Sequence, residues 1–293
     1  MDLGTVLTAM VTPFRADLEV DYSRARELAI RLVDNGSDGI VVGGTTGESP
    51  ALEHKEKLKL FETVVEAVGG RAVVVAGTGT NSTADSIRLT RQAEAVGVRA
   101  VMLVCPYYNK PPQEGLYQHF KAVASATELP ILLYNVPSRT SVNMTSGTAV
   151  GLAGIDNIVA IKEASGNLDQ VSEICRAAPP GFRIYSGDDS LTLPMLAVGG
   201  HGVVSVASHL VGSEIARMCR SFKSGDVAGA AQLHHRLFPL FKAMFVTTNP
   251  MPVKAALRLT GFDCGGCRLP LVSPSDDDLL VIRQALAQHG LVA

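Results

Sequence analysis

The stretch IVAIKEASG, residues 158–166, decides the fold that the rest of the chain is expected to adopt. Its apolar run, Ile158 to Ile161, predicts a strand that is buried on both faces, because a half-exposed strand would alternate apolar with polar residues. Lys162 follows without a break, although burying an unpaired ammonium costs several kcal/mol. The lysine must therefore reach water, pair with an acid, or stay neutral for a chemical role.

Seven further apolar runs of this kind occur, and each is followed by a segment with helical periodicity. The runs begin at Thr5, Gly39, Ala72, Ala100, Pro130, Arg183 and Gly202. Eight strands that alternate with helices indicate an α/β fold, and their spacing favours a parallel (β/α)8 TIM barrel over an open doubly wound sheet.

The barrel is predicted to end near Gly225 and to occupy residues 1–224 as the catalytic domain. Residues 225–293 contain no further strand pattern and are predicted to form a C-terminal helical domain, an appendage of three helices. These helices are expected near residues 226–246, 251–260 and 275–289.

Composition excludes several classes of protein. The chain has 26 basic and 28 acidic residues, a net charge of -2 and no basic stripe, so no nucleic-acid partner is expected. No apolar run approaches the ~20 residues of a membrane span, and the first residues lack the pattern of a signal peptide. We therefore expect a cytoplasmic protein without a membrane partner.

Chemistry in such barrels is performed at the carboxyl ends of the strands, and Lys162 is the one lysine predicted to lie on a strand there. Glu163 could pair with it, but adjacent strand residues point to opposite faces. In a partly desolvated pocket the neutral amine is favoured, and a neutral amine attacks carbonyl carbons. We predict that Lys162 is a catalytic nucleophile.

Two side chains after the fifth apolar run are candidates for supporting roles. The Tyr134 hydroxyl could move a proton to or from a Schiff base, although a tyrosine at a strand end can simply be packed. Arg139 has a planar guanidinium that suits a carboxylate, although a loop arginine can simply be a solvated charge.

The GGTTGE segment, Gly43 to Glu48, combines glycines with two hydroxyls between a strand and a helix. Its backbone N–H groups, with Thr45 and Thr46, could bind an anion. Because it lacks the Gly-Lys-Ser/Thr ending of a nucleotide loop, a carboxylate is a better ligand than a triphosphate. A tight turn with a helix cap is the alternative.

Two further pairs are predicted to be structural. Asp188 and Asp189 could hold a metal, but the seven histidines show no ligand spacing, and the pair can cap the next helix. Cys264 and Cys267 form a single CxxC without a second ligand pair or a redox setting. No metal is therefore expected.

Five motifs in order resemble the dihydrodipicolinate synthase family of pyruvate Schiff-base lyases. They are GTTGES at 44–49, PYYNKP at 106–111, YNVPSRT at 134–140, IKEASGN at 161–167 and NPMPVKAAL at 249–257. Each motif alone is weak, but five in order are specific, and together they extend over essentially the whole chain.

The resemblance implies that Lys162 forms an imine with pyruvate, which then condenses with L-aspartate semialdehyde in lysine and diaminopimelate biosynthesis. No cofactor is implied. The loop from Gly44 to Thr46 would hold the pyruvate carboxylate, and Arg139 the carboxylate of the second substrate. Gly187 and Val204 match further pocket-lining positions.

The family's proton relay matches Thr45, Tyr134 and Tyr108, the last contributed by a neighbouring subunit. The resemblance therefore also implies an oligomer, commonly a homotetramer built as a dimer of dimers.

A regulatory site is implied at the subunit interface, where lysine binds in the family's inhibited members. The matching positions are Ser49, His54, Asn81 and Tyr107. The chain departs at Lys57, where those members often have histidine, and at Asp85, where they often have glutamate. Because a fixed cation repels a cationic ligand, we predict weak or absent inhibition by lysine.

Three other functions stay open on the sequence. An N-acetylneuraminate or 2-keto-3-deoxy-sugar-acid lyase or dehydratase of the same superfamily would share the Schiff-base lysine, and Arg139 is the residue that argues against it. A non-catalytic barrel that binds a keto acid is the second, and a metal-dependent aldolase that uses Asp188 and Asp189 is the third.

Overall fold

Eight parallel strands form one closed barrel in chain order, in a computed structural model that describes residues 3–292. Strands β1 and β8 close it, with Leu7 opposite Val204. The strands are β1 (Val6–Ala9), β2 (Gly39–Val42), β3 (Val73–Gly77), β4 (Ala100–Val104), β5 (Ile131–Asn135), β6 (Ile158–Glu163), β7 (Arg183–Ser186) and β8 (Gly202–Ser205). The predicted (β/α)8 barrel is confirmed, since every strand lies in one of the predicted apolar runs.

Helices follow the strands and form the outer layer. They are α1 (Tyr22–Asp34), α2 (His54–Val68), α3 (Thr83–Ala95), α4 (Gln113–Ala124), α5 (Pro137–Thr140), α6 (Ser146–Ala153), α7 (Leu168–Ala177), α8 (Thr192–Ala197), α9 (Ser208–Lys223), α10 (Val227–Ala243), α11 (Met251–Leu259) and α12 (Asp276–Gln288). Among residues 3–292, no helix is long and apolar enough to cross a bilayer.

Capping residues explain where several helices begin. Asp21 and Ser82 each accept a hydrogen bond from the backbone N–H three residues later, which satisfies a donor that the first helical turn leaves unpaired. Two features were not predicted. The short helix α5 lies in the loop after β5, and α9 begins at Ser208 rather than after Gly212, with a non-helical residue at Val211.

Two apolar clusters divide the core. One fills the barrel interior and includes Leu7, Ala160 and Val204, and the other packs the strands against the helices and includes Ile161. Ala160 and Ile161 therefore lie on opposite sides of β6, and side chains alternate from there to the end of the strand. This alternation places Lys162 on the inner side of the barrel and Glu163 on the outer side.

The three predicted C-terminal helices are present as α10, α11 and α12. The appendage contacts the loop after β2 through a buried ion pair, in which Lys254 Nζ lies 2.6 Å from Glu48 Oε1 and the two side chains are 3% and 1% exposed. Arg268 donates from both terminal nitrogens to the Glu56 carboxylate of α2. Contacts thus cross residue 225, and the division into two domains there stays a prediction.

The buried His209 joins the loops after β1 and β8 at the carboxyl end of the barrel. Its Nδ1 lies 2.8 Å from the Val206 carbonyl oxygen, and its Nε2 accepts from the Val11 N–H at 3.2 Å. Burial lowers the pKa of His209 to about 4. Protonation would place an N–H at Nε2 against the N–H of Val11, so the folded state requires the neutral ring.

Acid should therefore destabilise the fold well above the range in which carboxylates titrate. The pKa of His209 falls from 6.5 when unfolded to about 4 when folded, so the unfolded state binds the proton first. We expect the free energy of unfolding to drop by about 3 kcal/mol between these two pH values from this group alone. Urea titrations across that pH range measure it, and a His209→Asn variant with an equally steep slope would contradict the assignment.

Candidate active site

Lys162 lies at the carboxyl end of β6, inside the barrel, as predicted. In the strand register it stands opposite Tyr134 of β5 on one side and Tyr185 of β7 on the other. Its side chain is buried, and its Nζ lies 4.1 Å from the centre of the Tyr134 ring. The predicted nucleophile and the predicted proton-transfer residue are therefore neighbours.

Glu163 does not pair with Lys162. Its carboxylate lies on the other side of β6 and accepts hydrogen bonds from Asn135 Nδ2 at 3.0 Å, Gln170 Nε2 at 3.0 Å and the Ser165 N–H at 2.6 Å. Because neutral donors satisfy this buried carboxylate, no cation is needed beside it. The alternative in which Lys162 pairs with Glu163 is wrong, because adjacent residues of a strand point to opposite faces.

Gly187 makes room for the lysine. A Cβ added there would lie 3.1 Å from Lys162 Cε and 2.6 Å from the Cβ of Ala164, closer than side-chain carbons normally approach. The absence of a side chain at Gly187 thus leaves space for the Lys162 side chain. Val204, the other predicted pocket position, is buried in the barrel-interior cluster.

A cavity of about 240 Å³ opens at this end of the barrel. Six predicted residues line it, namely Gly44, Thr45, Ser49, Tyr107, Tyr134 and Arg139. Lys162 does not line the cavity, but its Nζ lies over the ring of Tyr134, which does. Met102 also lines the cavity and was not predicted, although it follows the interior residue Ala100 by two positions on β4 and so faces inward.

The loop after β2 is a tight turn with unused donors. Gly44 O accepts from the N–H of Gly47, and the Thr12 hydroxyl donates to Gly47 O at 2.7 Å. The backbone N–H groups of Thr45 and Thr46 have no acceptor within residues 3–292. The segment is therefore a tight turn, which was the alternative to an anion-binding loop. The same turn also offers the N–H donors that were predicted to bind a carboxylate.

The appendage reaches this loop through Asn249, which the sequence did not single out. Asn249 Nδ2 donates to the Thr46 hydroxyl oxygen at 2.9 Å, and Arg139 Nη2 donates to the Asn249 carbonyl oxygen at 3.1 Å. Arg139 is held on α5, which starts with Pro137 at a helix position that tolerates proline. Asn249 opens the fifth motif of the resemblance, which is the only sequence signal that could have found it.

Tyr108 stands apart from the other predicted relay residues. It lies in the loop after β4 with a φ of 74°, and its side chain is 90% exposed. Its neighbour Tyr107 lines the cavity, and burial raises the pKa of the Tyr107 hydroxyl. The structure thus brings Thr45 and Tyr134 together within one chain, whereas Tyr108 points to solvent.

The predicted regulatory positions have different partners within the described residues. Ser49 and Tyr107 line the cavity, His54 hydrogen-bonds to Gln92, and Asp85 pairs with Arg88. The Asn81 carbonyl oxygen accepts from Asn109.

Lys57, the third regulatory position in chain order after Ser49 and His54, is partly buried without an acidic partner within residues 3–292. Burial lowers its pKa, and its ammonium has no ion pair or hydrogen bond within residues 3–292.

The acidic and cysteine pairs have structural surroundings. Asp188 accepts from the Ser190 N–H and caps the next turn, as predicted. Asp189 instead accepts from the N–H groups of Val206 and Ala207 and so fixes the loop after β8. Cys264 and Cys267 are free thiols, and burial raises the pKa of each to about 11. Within residues 3–292, no three histidine, cysteine, aspartate or glutamate side chains are grouped so that they could hold a metal ion.

Related sequences and the same fold occur in known proteins. Residues 2–289 match the dihydrodipicolinate synthetase family. A 4-hydroxy-tetrahydrodipicolinate synthase of Moorella thermoacetica is 60% identical over 292 residues, which is 100% of each chain. A dihydrodipicolinate synthase of Cyanidioschyzon merolae with lysine bound superposes with a TM-score of 0.98 at 50% identity, covering 99% of each chain. The enzyme of Acinetobacter baumannii, complexed with pyruvate, gives a TM-score of 0.96 at 37% identity, covering 99% of this chain and 100% of that one.

Proposed function

The chain belongs to the dihydrodipicolinate synthetase family, and on that premise we propose that it condenses pyruvate with L-aspartate semialdehyde. The observation that carries the proposal is the buried Lys162, whose Nζ lies 4.1 Å from the Tyr134 ring centre beside the cavity. The product, 4-hydroxy-tetrahydrodipicolinate, would enter lysine and diaminopimelate synthesis. The pyruvate complex of the Acinetobacter baumannii relative supports the first substrate.

The first half of the reaction uses Lys162. Its neutral amine attacks the C2 carbonyl of pyruvate and forms an imine, and the carbonyl oxygen leaves as water. The imine nitrogen then accepts the electron pair of a C3–H bond, so that C3 loses a proton and becomes an enamine carbon. Because the nitrogen is the electron sink, this step needs no metal.

The second half builds the ring. The enamine carbon attacks the aldehyde carbon of L-aspartate semialdehyde, forming a C–C bond, and the aldehyde oxygen takes a proton. The amine of the same substrate then attacks the imine carbon and displaces the Lys162 amine. The enzyme is regenerated, and the cyclic product leaves.

Other residues of the cavity supply binding and proton transfer. The free N–H groups of Thr45 and Thr46 would bind the pyruvate carboxylate, and Arg139 would bind the carboxylate of the semialdehyde. The Tyr134 hydroxyl, beside Lys162, would pass protons to and from the imine. Gly187 and Val204 would line the space around the imine.

Arg139 favours this reaction over cleavage of a sugar acid. A guanidinium in the cavity wall suits a second carboxylate, whereas the hydroxyl chain of a neuraminate or keto-deoxy sugar would leave it unpaired. A cytoplasmic location is part of the proposal, and the five free cysteines support a reducing compartment.

Lys162→Ala should abolish the activity. We expect pyruvate-dependent consumption of L-aspartate semialdehyde to fall by at least about a thousandfold, because no other amine can form the imine. Borohydride with pyruvate should add mass to Lys162 in the wild type and to no residue in the variant. A wild type without an adduct would support the non-catalytic barrel, and turnover of sugar acids instead of semialdehyde would support the lyase alternative.

We also propose that Tyr108 completes the active site of a neighbouring subunit, in a homotetramer arranged as a dimer of dimers. A tyrosine that is 90% exposed in the isolated chain is unusual, and burial in a partner would remove that exposed ring from water. Tyr108 has a left-handed backbone, with φ 74°, and does not line the cavity of its own chain, whereas Tyr107 does.

Two inactive variants should restore each other if this sharing occurs. Lys162→Ala and Tyr108→Phe subunits, unfolded together and refolded as mixed dimers, would contain one site with both wild-type residues. Random pairing predicts recovery of up to about a quarter of the wild-type activity. Mixing the two folded proteins without exchange is the control, and no recovery after exchange would show that each subunit uses its own Tyr108.

We propose that lysine inhibits this protein weakly or not at all, although a relative 50% identical has been crystallised with lysine bound. Lys57 is partly buried without an acidic partner, so its ammonium would repel a second one more strongly than a surface lysine would.

A lysine titration of the assay tests this proposal. We expect little inhibition of the wild type and a gain of inhibition in Lys57→His, which can lose its charge near neutral pH. Lys55→His, at a fully exposed position two residues earlier, is the matched control and should change nothing. Half-inhibition of the wild type at submillimolar lysine would contradict the proposal.

A further inference from the structure

Asn249, which follows the barrel in the chain, connects Arg139 in the cavity wall to Thr46 in the loop after β2. It is 5% exposed and lies immediately before α11 with Pro250, in the appendage. Its side-chain nitrogen donates to the Thr46 hydroxyl oxygen at 2.9 Å, and its carbonyl oxygen accepts from Arg139 at 3.1 Å. One residue thus contacts both proposed carboxylate-binding segments.

The hydrogen bond to Thr46 fixes where the hydroxyl proton can go. A hydroxyl has one proton and two lone pairs, and an amide nitrogen can only donate. In the observed orientation of the amide, the Thr46 oxygen accepts from Asn249 Nδ2 and its own proton points elsewhere, while Asn249 Oδ1 is buried without a partner. Within residues 3–292 that proton has no acceptor, although Thr46 is only 3% exposed. A buried donor without an acceptor is costly unless a ligand supplies one.

We propose that Asn249 is a positioning residue that makes the Thr46 hydroxyl a donor to the carboxylate of pyruvate. The inference rests on the proposed function, since it takes pyruvate as the anion. Asn249 would act with the free N–H groups of Thr45 and Thr46, so that the loop offers two N–H groups and one O–H group to an anion.

An Asn249→Asp substitution tests the direction of this hydrogen bond at constant size. A carboxylate can only accept, so the Thr46 proton would turn towards it and no longer bind pyruvate. We expect the KM for pyruvate to rise roughly tenfold or more, with a smaller change in kcat. The pyruvate concentration for half-maximal borohydride trapping of Lys162 should rise equally.

Asn249→Ala separates this role from a structural one. Without a partner the hydroxyl can still rotate to donate, so we expect the pyruvate KM of Asn249→Ala to lie between the wild-type and Asn249→Asp values. A packing role predicts the reverse order, because alanine removes more contacts than an isosteric carboxylate. An alanine variant that is equally or more impaired would overturn the proposal.

The pH profile adds a second readout. As the pH falls, the introduced carboxyl takes up a proton and can donate to Thr46 again. The ratio of variant to wild-type KM for pyruvate should therefore narrow in acid. A ratio that stays constant, or an Asn249→Asp variant that binds pyruvate as the wild type does, would show that Asn249 does not orient the hydroxyl.

Thr46→Val removes the hydroxyl and completes the experiment. In the Thr46→Val background, Asn249→Asp should raise the KM for pyruvate only slightly further. If the carboxylate introduced by Asn249→Asp instead acted by repelling the pyruvate carboxylate, the full rise in KM would persist in this background and would overturn the proposal. If circular dichroism shows that Asn249→Asp is unfolded, Asn249→Ala replaces it in this test. Its effect on the KM for pyruvate should then vanish in the Thr46→Val background. Failure of the wild type to be trapped by pyruvate and borohydride would instead overturn the proposed function.

Discussion

The alternation of side chains along β6 is the constraint on which the site depends. Residues 162 and 163 carry opposite charges and are adjacent in sequence, yet a strand directs them to opposite sides. Glu163 is satisfied on the outer side by Asn135, Gln170 and the Ser165 N–H, all neutral donors. Lys162 is left on the inner side without a carboxylate, over the ring of Tyr134. An ion pair between the two would occupy the proposed nucleophile, so the amide network outside the barrel keeps Lys162 available for the proposed chemistry inside it.

The appendage is the second requirement. Its ion pair between Lys254 and Glu48 is almost fully buried, and removal of one partner from such a pair leaves a charge without solvation. Glu48 has a left-handed backbone, and it directly follows the loop that carries Thr45 and Thr46. Together with Asn249, the pair attaches this loop to residues that lie more than 200 positions further along the chain. The geometry of the cavity is therefore a property of the whole chain.

Sequence patterns predicted the barrel because strands buried on both faces leave long apolar runs, and the strand count then placed Lys162 at the reactive end. The resemblance added Tyr108 and the roles of Thr45 and Arg139, which no periodicity could supply. Asn249, Asp189 and the helix α5 were missed because each depends on contacts between distant segments. From the sequence, Asp189 was expected to be a helix cap or a metal ligand. The N–H groups that donate to its carboxylate instead lie on the loop after β8. Local pattern cannot show such a partner.

The distance along the chain between Glu48 and Lys254 also has a consequence for synthesis on the ribosome. The first two strands leave the exit tunnel long before α11 is translated, so the nascent chain carries an acidic side chain at residue 48 whose cation does not yet exist. Throughout that interval the carboxylate stays hydrated and the loop cannot close on its final contacts. The contacts that fix the loop carrying Thr45 and Thr46 are therefore completed only when α11 has been made, late in translation.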